Sequence, residues 1–280
     1  MYFFIKKDNI KKDNIKKDNI KKDNIKKDNI KNFNIKKFNK YMQFKQQQKN
    51  NNNYSPDLNN KKYLVIMACH CDTDIKLNTI KQNLHFFAFE NTHKIIINTT
   101  GLEKNNNLSE ICSRYNNTKY YEIENSSYYD FGKWLYILKN KIEYNDYDYV
   151  VLTNDSFIIH NSINHFLNLI VKYNVELYGY NDSTQQNYHY QSYLFSLRKD
   201  VIQIFIENIS NPKLTITGQN EVINNFELKM VNWFKTYNCF LKIGNFKLER
   251  GHNIFFTNDE LYLPLKNNGL LPFTKLKRIL

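Results

Sequence analysis

The hydrophobic positions of this chain follow regular patterns only after about residue 61. From there on, short apolar runs typical of buried strands alternate with stretches in which apolar residues recur every three or four positions, as on one face of a helix. In the first such helix, which Thr73 or Asp74 caps, Leu77, Ile80, Leu84 and Phe87 share one face. Predicted strands cover 63–68, 94–98, 119–123, 149–152, 175–180 and 192–197, and further predicted helices cover 108–115, 132–143, 200–209 and 219–234, with another that Ser162 caps.

This alternation predicts an α/β domain with a mainly parallel central sheet and helices on both faces. Such sheets bind ligands at the carboxyl ends of their strands. Polar residues follow four of the predicted strands: His70, Asp72 and Asp74; Asn98 and Thr99; Asn154, Asp155 and Ser156; and Asn181, Asp182 and Ser183. These strand-end residues are therefore candidates for a binding site. The chain has no Gly-x-Gly-x-x-Gly or Gly-x-x-x-x-Gly-Lys loop, which removes support for dinucleotide-binding and P-loop proteins.

The first 60 residues are of low complexity. The pentapeptide Ile-Lys-Lys-Asp-Asn repeats five times between residues 5 and 29, and tracts of Gln and Asn follow. A five-residue period places successive Ile residues on no common face of a helix or strand, so no apolar stripe forms. Residues 1–60 are therefore predicted to be a disordered basic tail, and residues 61–280 to form the folded domain. The heavy use of Asn, Ile, Lys, Tyr and Phe also indicates an AT-rich genome.

The positive charge of the chain lies almost wholly in this tail. Residues 1–62 contain 18 Lys and 6 Asp, a net charge of +12 out of the +13 of the whole chain. Because a domain that binds nucleic acid presents its basic residues on the folded surface, no specific nucleic-acid partner is predicted. Two interpretations of the tail stay open: a repeat expansion without function, and a peripheral contact with a polyanion or an acidic membrane.

Three features predict a cytoplasmic location. The four Cys residues form no disulfide framework, which favours a reducing compartment. The N-terminus lacks the apolar region of a signal peptide. No apolar run approaches the 18 residues of a spanning helix, so no transmembrane segment is expected.

The most informative stretch for chemistry is the apolar strand that ends in Asn154, Asp155 and Ser156. Hard divalent cations prefer carboxylate oxygens, and a departing diphosphate gathers negative charge that a cation can stabilise. An acidic turn at a strand end therefore fits a metal or diphosphate contact. Asn, Asp and Ser are also ordinary turn residues, so this stretch alone leaves both interpretations open.

The neighbouring motifs resemble those of a known family. Tyr-Asp-Phe-Gly-Lys-Trp at residues 129–134 precedes the Asn-Asp-Ser strand by about twenty residues; Leu-Tyr-Gly at 177–179 and His-Tyr-Gln-Ser-Tyr-Leu-Phe at 189–195 follow it. Their order and spacing resemble the rhamnan-synthesis protein F family, polysaccharide-building proteins related to glycosyltransferases of the GT-A fold. The resemblance covers roughly residues 63–235.

This resemblance implies a GT-A-like fold, the Rossmann-like fold of nucleotide-diphospho-sugar transferases. It also implies an enzyme, a glycosyltransferase that moves a sugar, rhamnose or another hexose, from a nucleotide-sugar donor to a glycan or glycoconjugate acceptor. A divalent cation, Mn or Mg, would accompany the donor. These implications come from the family and not from composition or spacing.

By position, Asn154, Asp155 and Ser156 occupy the place of the family's Asp-x-Asp motif, with Asp155 as the metal or diphosphate contact. One carboxylate stands here where two are common. Asp130 would contact the sugar or cap the helix that follows it. The remaining candidates for donor and acceptor contacts are His70, Asn98, Thr99, His189 and Gln191, and for the last two a structural hydrogen bond is an equal alternative.

An inverting transferase also needs a carboxylate base for the acceptor hydroxyl. Asp182, Glu221 and Glu227 are candidates, and His189 is a further catalytic candidate. Asp182 is favoured because a loop at the functional edge is expected to carry it, whereas Glu227 also fits a solvated helix face. A retaining mechanism would need no such base.

Two rival functions stay open at this stage. A domain of the same fold that binds glycans or nucleotide sugars without catalysis would bind a donor but not turn it over. A polyanion-binding protein that works through its tail would lose its binding when residues 1–60 are deleted.

Overall fold

A computed structural model describes residues 60–87, 91–99, 102–160, 163–184, 186–246 and 273–275. The predicted tail disorder, the predicted helix cap at Ser162 and nearly all of the chain after residue 246 lie outside these residues. The strands are β1 (Tyr63–Cys69), β2 (Thr92–Asn98), β3 (Thr118–Glu122), β4 (Tyr149–Asn154), β5 (Phe157–Ile159), β6 (Leu177–Ser183), β7 (His189–Tyr190), β8 (Leu194–Arg198), β9 (Leu241–Phe246) and β10 (Phe273–Lys275). The α-helices are α1 (Asp74–Phe86), α2 (Leu102–Ser113), α3 (Tyr129–Asn140), α4 (Asn164–Tyr173), α5 (Ile202–Ile209), α6 (Gln219–Val222) and α7 (Leu228–Thr236). A π-helical segment, Ile223–Glu227, joins α6 to α7.

The central sheet has the order β3-β2-β1-β4-β8-β6-β7, and β9 pairs with β6 on a branch from this path. The first four strands are mutually parallel, and their 3-2-1-4 order is that of a three-strand mononucleotide-binding half followed by the first strand of a second half. The chain therefore builds outward from β1 through β2 and β3, and then returns to the other side of β1 with β4. The switch point of the sheet lies between β1 and β4.

The second half of the sheet corrects the prediction of a mainly parallel sheet. Strand β8 is antiparallel to both β4 and β6, and β7 is antiparallel to β6, so the sheet is mixed. A parallel crossover needs about a dozen residues or more, usually including a helix. The segment between β6 and β8 contains only the short strand β7, so β8 must return antiparallel.

Helices cover both faces of the sheet, as predicted. Leu177 of β6 belongs to a core cluster that also contains Trp134 of α3, Phe205 of α5 and Phe234 of α7. Its neighbour Tyr178 points to the opposite face, because side chains alternate along a strand, and its ring lies 5.6 Å from Phe166 of α4. All seven residues of β1 are buried, as two covered faces require.

Several predicted boundaries shift by a few residues. The helix predicted at 132–143 begins at Tyr129 and ends at Asn140, and the one predicted at 108–115 begins at Leu102. The strand predicted at 175–180 runs on to Ser183, because β7 and β9 supply partners beyond Tyr180. None of the helices in the described part of the chain is both long and apolar enough to cross a bilayer.

Candidate functional site

A cavity of about 320 Å³ lies at the carboxyl end of β4. This volume is at the lower end of the range for small-molecule sites. Predicted site residues that line it are Asp130, Asn154, Ser156, Gln191 and Glu227. The other lining residues are Tyr129, Phe131, Ser192, Tyr193, Gln219, Val222 and Ile223.

One wall of the cavity is a hydrogen-bonded row of three side chains. The Asn154 amide nitrogen donates to Asp130 Oδ2 at 2.9 Å, and Asn154 Oδ1 accepts from the Ser156 hydroxyl at 2.6 Å and from the Ser156 N–H at 3.1 Å. Asn154 therefore fixes the Asp130 carboxylate against the end of β4. A row of polar groups with defined orientation is what a ligand rich in hydroxyl groups needs for recognition.

Two buried side chains of α3 hold this wall in place. Lys133 Nζ donates to the carbonyl oxygen of Cys69 at 2.8 Å and lies 3.6 Å from Asp130 Oδ1. The Trp134 indole N–H donates to the carbonyl oxygen of Thr153 at 3.0 Å. The start of α3 is thus attached to the last residue of β1 and to the end of β4, which places Asp130 beside the switch point.

Asp155 lies next to the cavity but is not among its lining residues. It is buried, and its Oδ2 accepts the N–H of His70 at 2.8 Å, while its own N–H donates to the carbonyl oxygen of Ala68. These two bonds join the ends of β1 and β4. Burial raises the pKa of the Asp155 carboxyl above its usual range, with a contribution from Asp130, although the charges of Lys76 and Lys133 act to lower it.

Asp155 and Asp130 are the carboxylates that could hold a divalent cation at this position. In the described residues no group of three His, Cys, Asp or Glu side chains could hold a metal ion. Asp155 Oδ2 is already used by a backbone N–H, and the Asp130 carboxylate is bonded to Asn154 and paired with Lys133. An ionised carboxylate has about four lone-pair sites, so these contacts leave room for a cation, and Asp155 stays the predicted ligand.

We expect Asp155→Asn to raise the melting temperature at pH 7 by a few degrees. A carboxyl whose folded-state pKa is raised destabilises the fold above its unfolded pKa of about 4, and this cost disappears as the pH falls through the folded-state value. An asparagine oxygen can still accept the His70 N–H without carrying the charge. Melting temperatures of wild type and variant measured from pH 7 to pH 3.5 should converge at the acid end.

The matched control is Asp146→Asn, because Asp146 is exposed. It should leave the melting temperature unchanged at every pH. A lower melting temperature for Asp155→Asn at pH 7 would show that the charged carboxylate stabilises the loop, contrary to this account.

The residues predicted at the ends of β1 and β2 have two different environments. The His70 ring nitrogen Nδ1 lies 3.2 Å from Thr99 Oγ1, and His70 is exposed, so this pair can contact a ligand. Asn98 is fully buried, and its Oδ1 accepts the Cys71 N–H at 3.0 Å. Asn98 therefore supports the loop after β1. The pattern of polar residues at strand ends cannot distinguish this structural role from contact with a ligand.

A second part of the cavity lining centres on Glu227. Glu227 Oε1 accepts the Ser192 N–H at 3.4 Å and lies 3.8 Å from His189 Nε2. His189 Nδ1 lies 2.7 Å from the carbonyl oxygen of Asn187, and its Nε2 lies 3.0 Å from the Gln191 amide nitrogen. Since a carbonyl only accepts, His189 Nδ1 donates to Asn187, and Nε2 is the ring nitrogen that faces Gln191 and Glu227.

The π-helical segment explains why Glu227 lines the cavity. The sequence pattern of Val222, Phe226 and Met230 predicts a regular helix in which Glu227 can lie on a solvated face. The wider turn at Ile223–Glu227 changes the angular position of this residue. Single π turns inside α-helices occur frequently at functional sites.

Asp182 does not lie in the loop where it was expected. It is part of β6, is fully buried and pairs in register with Tyr190 of β7. The expectation failed because the partner strand β7 is only two residues long and carries no distinct sequence pattern. His189 is also buried, and its contacts are with Gln191 and Glu227 at the edge of the cavity.

Sequence reasoning missed about half of the cavity wall. Tyr129, Phe131, Ser192 and Tyr193 belong to the motifs at 129–134 and 189–195, so the motifs themselves were the available signal. Gln219, Val222 and Ile223 come from the segment that includes the start of the π turn. Nothing in their local pattern distinguishes them from other helix residues.

Comparison with sequences finds a partial relative. No protein-family model matches the chain. A stretch of 112 residues is 36% identical to virulence protein VirA of Vibrio anguillarum (strain ATCC 68554 / 775), a match that covers 38% of this chain and 36% of the relative. The chain therefore aligns with about a third of the length of that curated relative.

Comparison with solved structures finds glycosyltransferases at low sequence identity. One involved in the glycosylation of the major capsid of PBCV-1 has a TM-score of 0.46 at 9% identity, covering 77% of this chain and 93% of that one. The glycosyltransferase GlyE of Streptococcus pneumoniae TIGR4 has a TM-score of 0.42 at 10% identity, with coverages of 77% and 54%. A putative nucleotide-diphospho-sugar transferase from Desulfovibrio desulfuricans G20 has 0.40 at 11%, with coverages of 75% and 95%.

Proposed function

We propose that this chain is a glycosyltransferase that moves a hexose, with rhamnose as one candidate, from a nucleotide sugar to a glycan or glycoconjugate acceptor. The observation that carries the proposal is the cavity at the end of β4. Its lining includes the Asp130–Asn154–Ser156 row together with Gln191 and Glu227. Polar groups that can bind sugar hydroxyls thus share one cavity with a carboxylate that can take a proton.

The nucleotide end of the donor is assigned to the carboxyl ends of β1 and β2. In open α/β sheets, ligands bind where the strand order reverses, which here is between β1 and β4. His70 and Thr99 are at this edge. Lys76 lies at the same edge, where its Nζ pairs with Asp72 at 3.0 Å and donates to the carbonyl oxygen of His70 at 2.8 Å, and a diphosphate would have to compete with Asp72 for this cation.

Glu227 is assigned as the base. It would take the proton of the acceptor hydroxyl as that oxygen bonds to the anomeric carbon, while the bond to the diphosphate breaks and the electron pair leaves with the nucleoside diphosphate. Glu227 is preferred to Asp182, because Glu227 lines the cavity whereas Asp182 is enclosed in β6. Glu221 is not among the lining residues.

The test is a panel of nucleotide sugars in a thermal-shift assay on the full chain, with Mn²⁺ and with EDTA. A donor that binds only the folded state adds about 2.7 kcal/mol of stability at a hundredfold excess over its Kd. We expect one nucleotide family to raise the melting temperature, and a shift that is larger with Mn²⁺ than with EDTA would assign a cation to the site.

Asp130→Ala should remove this shift, and Asp146→Ala, at an exposed position, should retain it. A donor that binds without turnover would identify a non-catalytic scaffold instead. A well-folded sample that no donor stabilises would reject a nucleotide-sugar site.

A further inference from the structure

Tyr129 has an unusual backbone conformation for a large side chain. Its φ is +48°, in the left-handed region that bulky residues rarely occupy. The other non-glycine residues with positive φ in the described part of the chain are Asn117, Asn174 and Asn238, and asparagine tolerates this conformation. Among these four residues, Tyr129 is therefore the one whose side chain does not favour the left-handed backbone conformation that it adopts.

The turn around Tyr129 is fixed by its neighbours. The Tyr129 N–H donates to the carbonyl oxygen of Ser126, and the Gly132 N–H donates to that of Tyr128, each at 3.1 Å. A Cβ on Gly132 would lie 2.6 Å from Ser126 Oγ and 2.8 Å from Tyr128 Cβ, so the chain before α3 packs directly on this glycine. The flanking Phe131 is buried and packs against Trp134 and Phe226, which anchors the other end of the turn.

The side chain of Tyr129 contributes nothing evident to this packing. Tyr129 is 40% exposed, whereas the Tyr128 ring packs at a tilt against Phe226, with 5.4 Å between the ring centroids. Within the residues that the structure describes, the Tyr129 ring and hydroxyl have neither a hydrogen bond nor an aromatic partner. Yet Tyr129 lines the cavity beside Asp130 and Asn154. Backbone strain that the surrounding structure holds in place, at a residue whose own side chain does not need it, is typical of functional sites.

The combination of surfaces in the cavity identifies the chemical class of ligand. A pyranose has an apolar C–H face and a rim of hydroxyl groups. Tyr129 offers an unoccupied aromatic surface, and the Asp130–Asn154 pair offers a carboxylate and an amide next to it. Rings of this kind supply large contact area at little cost in conformational entropy.

We propose that the ring of Tyr129 is the platform on which a pyranose ring of the ligand stacks, and that its strained backbone holds the platform over the cavity. This inference rests on the proposed function, because it assigns the sugar moiety, and not the nucleotide base, to this part of the site. Tyr129 would then determine specificity for the sugar without taking part in proton transfer.

The test compares Tyr129→Asn with Tyr129→Phe in the full chain. Asparagine tolerates the left-handed region and removes the ring, so Tyr129→Asn should raise the melting temperature by about 2–4 °C. It should also weaken binding of the nucleotide sugar, measured by calorimetry, by about tenfold or more. Tyr129→Phe keeps both strain and ring, and should match wild type within about twofold in Kd and about 1 °C in melting temperature.

Two comparisons distinguish stacking of the sugar ring on Tyr129 from stacking of the nucleotide base. The Kd of the nucleoside diphosphate alone should not change in Tyr129→Asn, and an equal loss for it would show base stacking and overturn the inference. Tyr237→Asn removes a tyrosine that is 57% exposed and has no positive φ, and should change neither affinity nor stability. A similar change in that control would also overturn the inference.

The failure of this inference can be distinguished from failure of the proposed function. If Tyr129→Asn binds the nucleotide sugar as tightly as wild type, the stacking role of Tyr129 is wrong, and the proposed transferase function is unaffected. Binding of methyl glycosides but of no nucleotide sugar, with the glycoside affinity lost in Tyr129→Asn, supports the platform and rejects the transferase. Absence of binding to either probe by wild type overturns both.

Discussion

Replacing Glu227 by glutamine should lower kcat by about 10²- to 10⁴-fold, the range that a positioned general base contributes. Glutamine has nearly the same shape, and its carbonyl oxygen can still accept the Ser192 N–H that Glu227 Oε1 accepts now. It cannot take a proton from the acceptor hydroxyl. Donor affinity should therefore change little, while the rate of nucleoside diphosphate release falls.

The rate should be measured with the donor that the panel identifies, at a saturating concentration, so that kcat is separated from KM. Glu221→Gln is the matched control. It makes the same chemical change in α6, but Glu221 is not among the lining residues, so kcat should be that of wild type. A Glu227→Gln variant with wild-type kcat would reject the base, and a retaining mechanism would then be the better account.

Replacing Trp134 by alanine should reduce the free energy of unfolding by about 3–5 kcal/mol, as expected for a large aromatic side chain removed from a core. Trp134 is fully buried, with its ring against Phe131 and Phe195, and its indole N–H bonds to Thr153. Its removal leaves a cavity and an unsatisfied carbonyl at the end of β4. The measurement is equilibrium unfolding in urea.

Trp134→Phe separates the contribution of core packing from that of the indole hydrogen bond. The phenyl ring retains most of the packing and loses the hydrogen bond, so the cost should be about 1–3 kcal/mol. The chain has two tryptophans, so Trp233 remains as a fluorescence reporter in both variants. A cost below about 1 kcal/mol for Trp134→Ala would contradict the attachment of α3 to the sheet.

The strand predictions succeeded where local sequence decides the outcome. The run at 63–68 became β1, buried throughout, because a strand covered on both faces needs apolar residues at every position. The motif at 129–134 was predicted to lie at the start of a helix, and α3 begins at Tyr129 with Asp130 bonded to Asn154. Local sequence was sufficient for both elements, whereas the site role of the motif came from the family resemblance and stays a prediction.

The candidate site was predicted less completely. Asp130, Asn154, Ser156, Gln191 and Glu227 come together in one cavity, whereas Asp155 and Asn98 serve the ends of the strands. Polar residues after parallel strands share an edge of the sheet whatever their role. Their sequence positions therefore cannot distinguish a side chain that faces a ligand from one that caps a backbone N–H.

The sequence by itself determined the alternation of strands and helices, the neutral charge of the region after residue 62, and the motifs that border the cavity. Only the tertiary structure decided the antiparallel return of β8, the burial of Asp182, the orientation of Glu227 and the strained backbone of Tyr129. The turn at Tyr129 and the π turn at Glu227 are local departures from a regular helix that periodicity does not reveal, whereas the return of β8 and the burial of Asp182 depend on pairing between separate segments. Local composition and periodicity carry no information about such contacts, because they describe one element at a time.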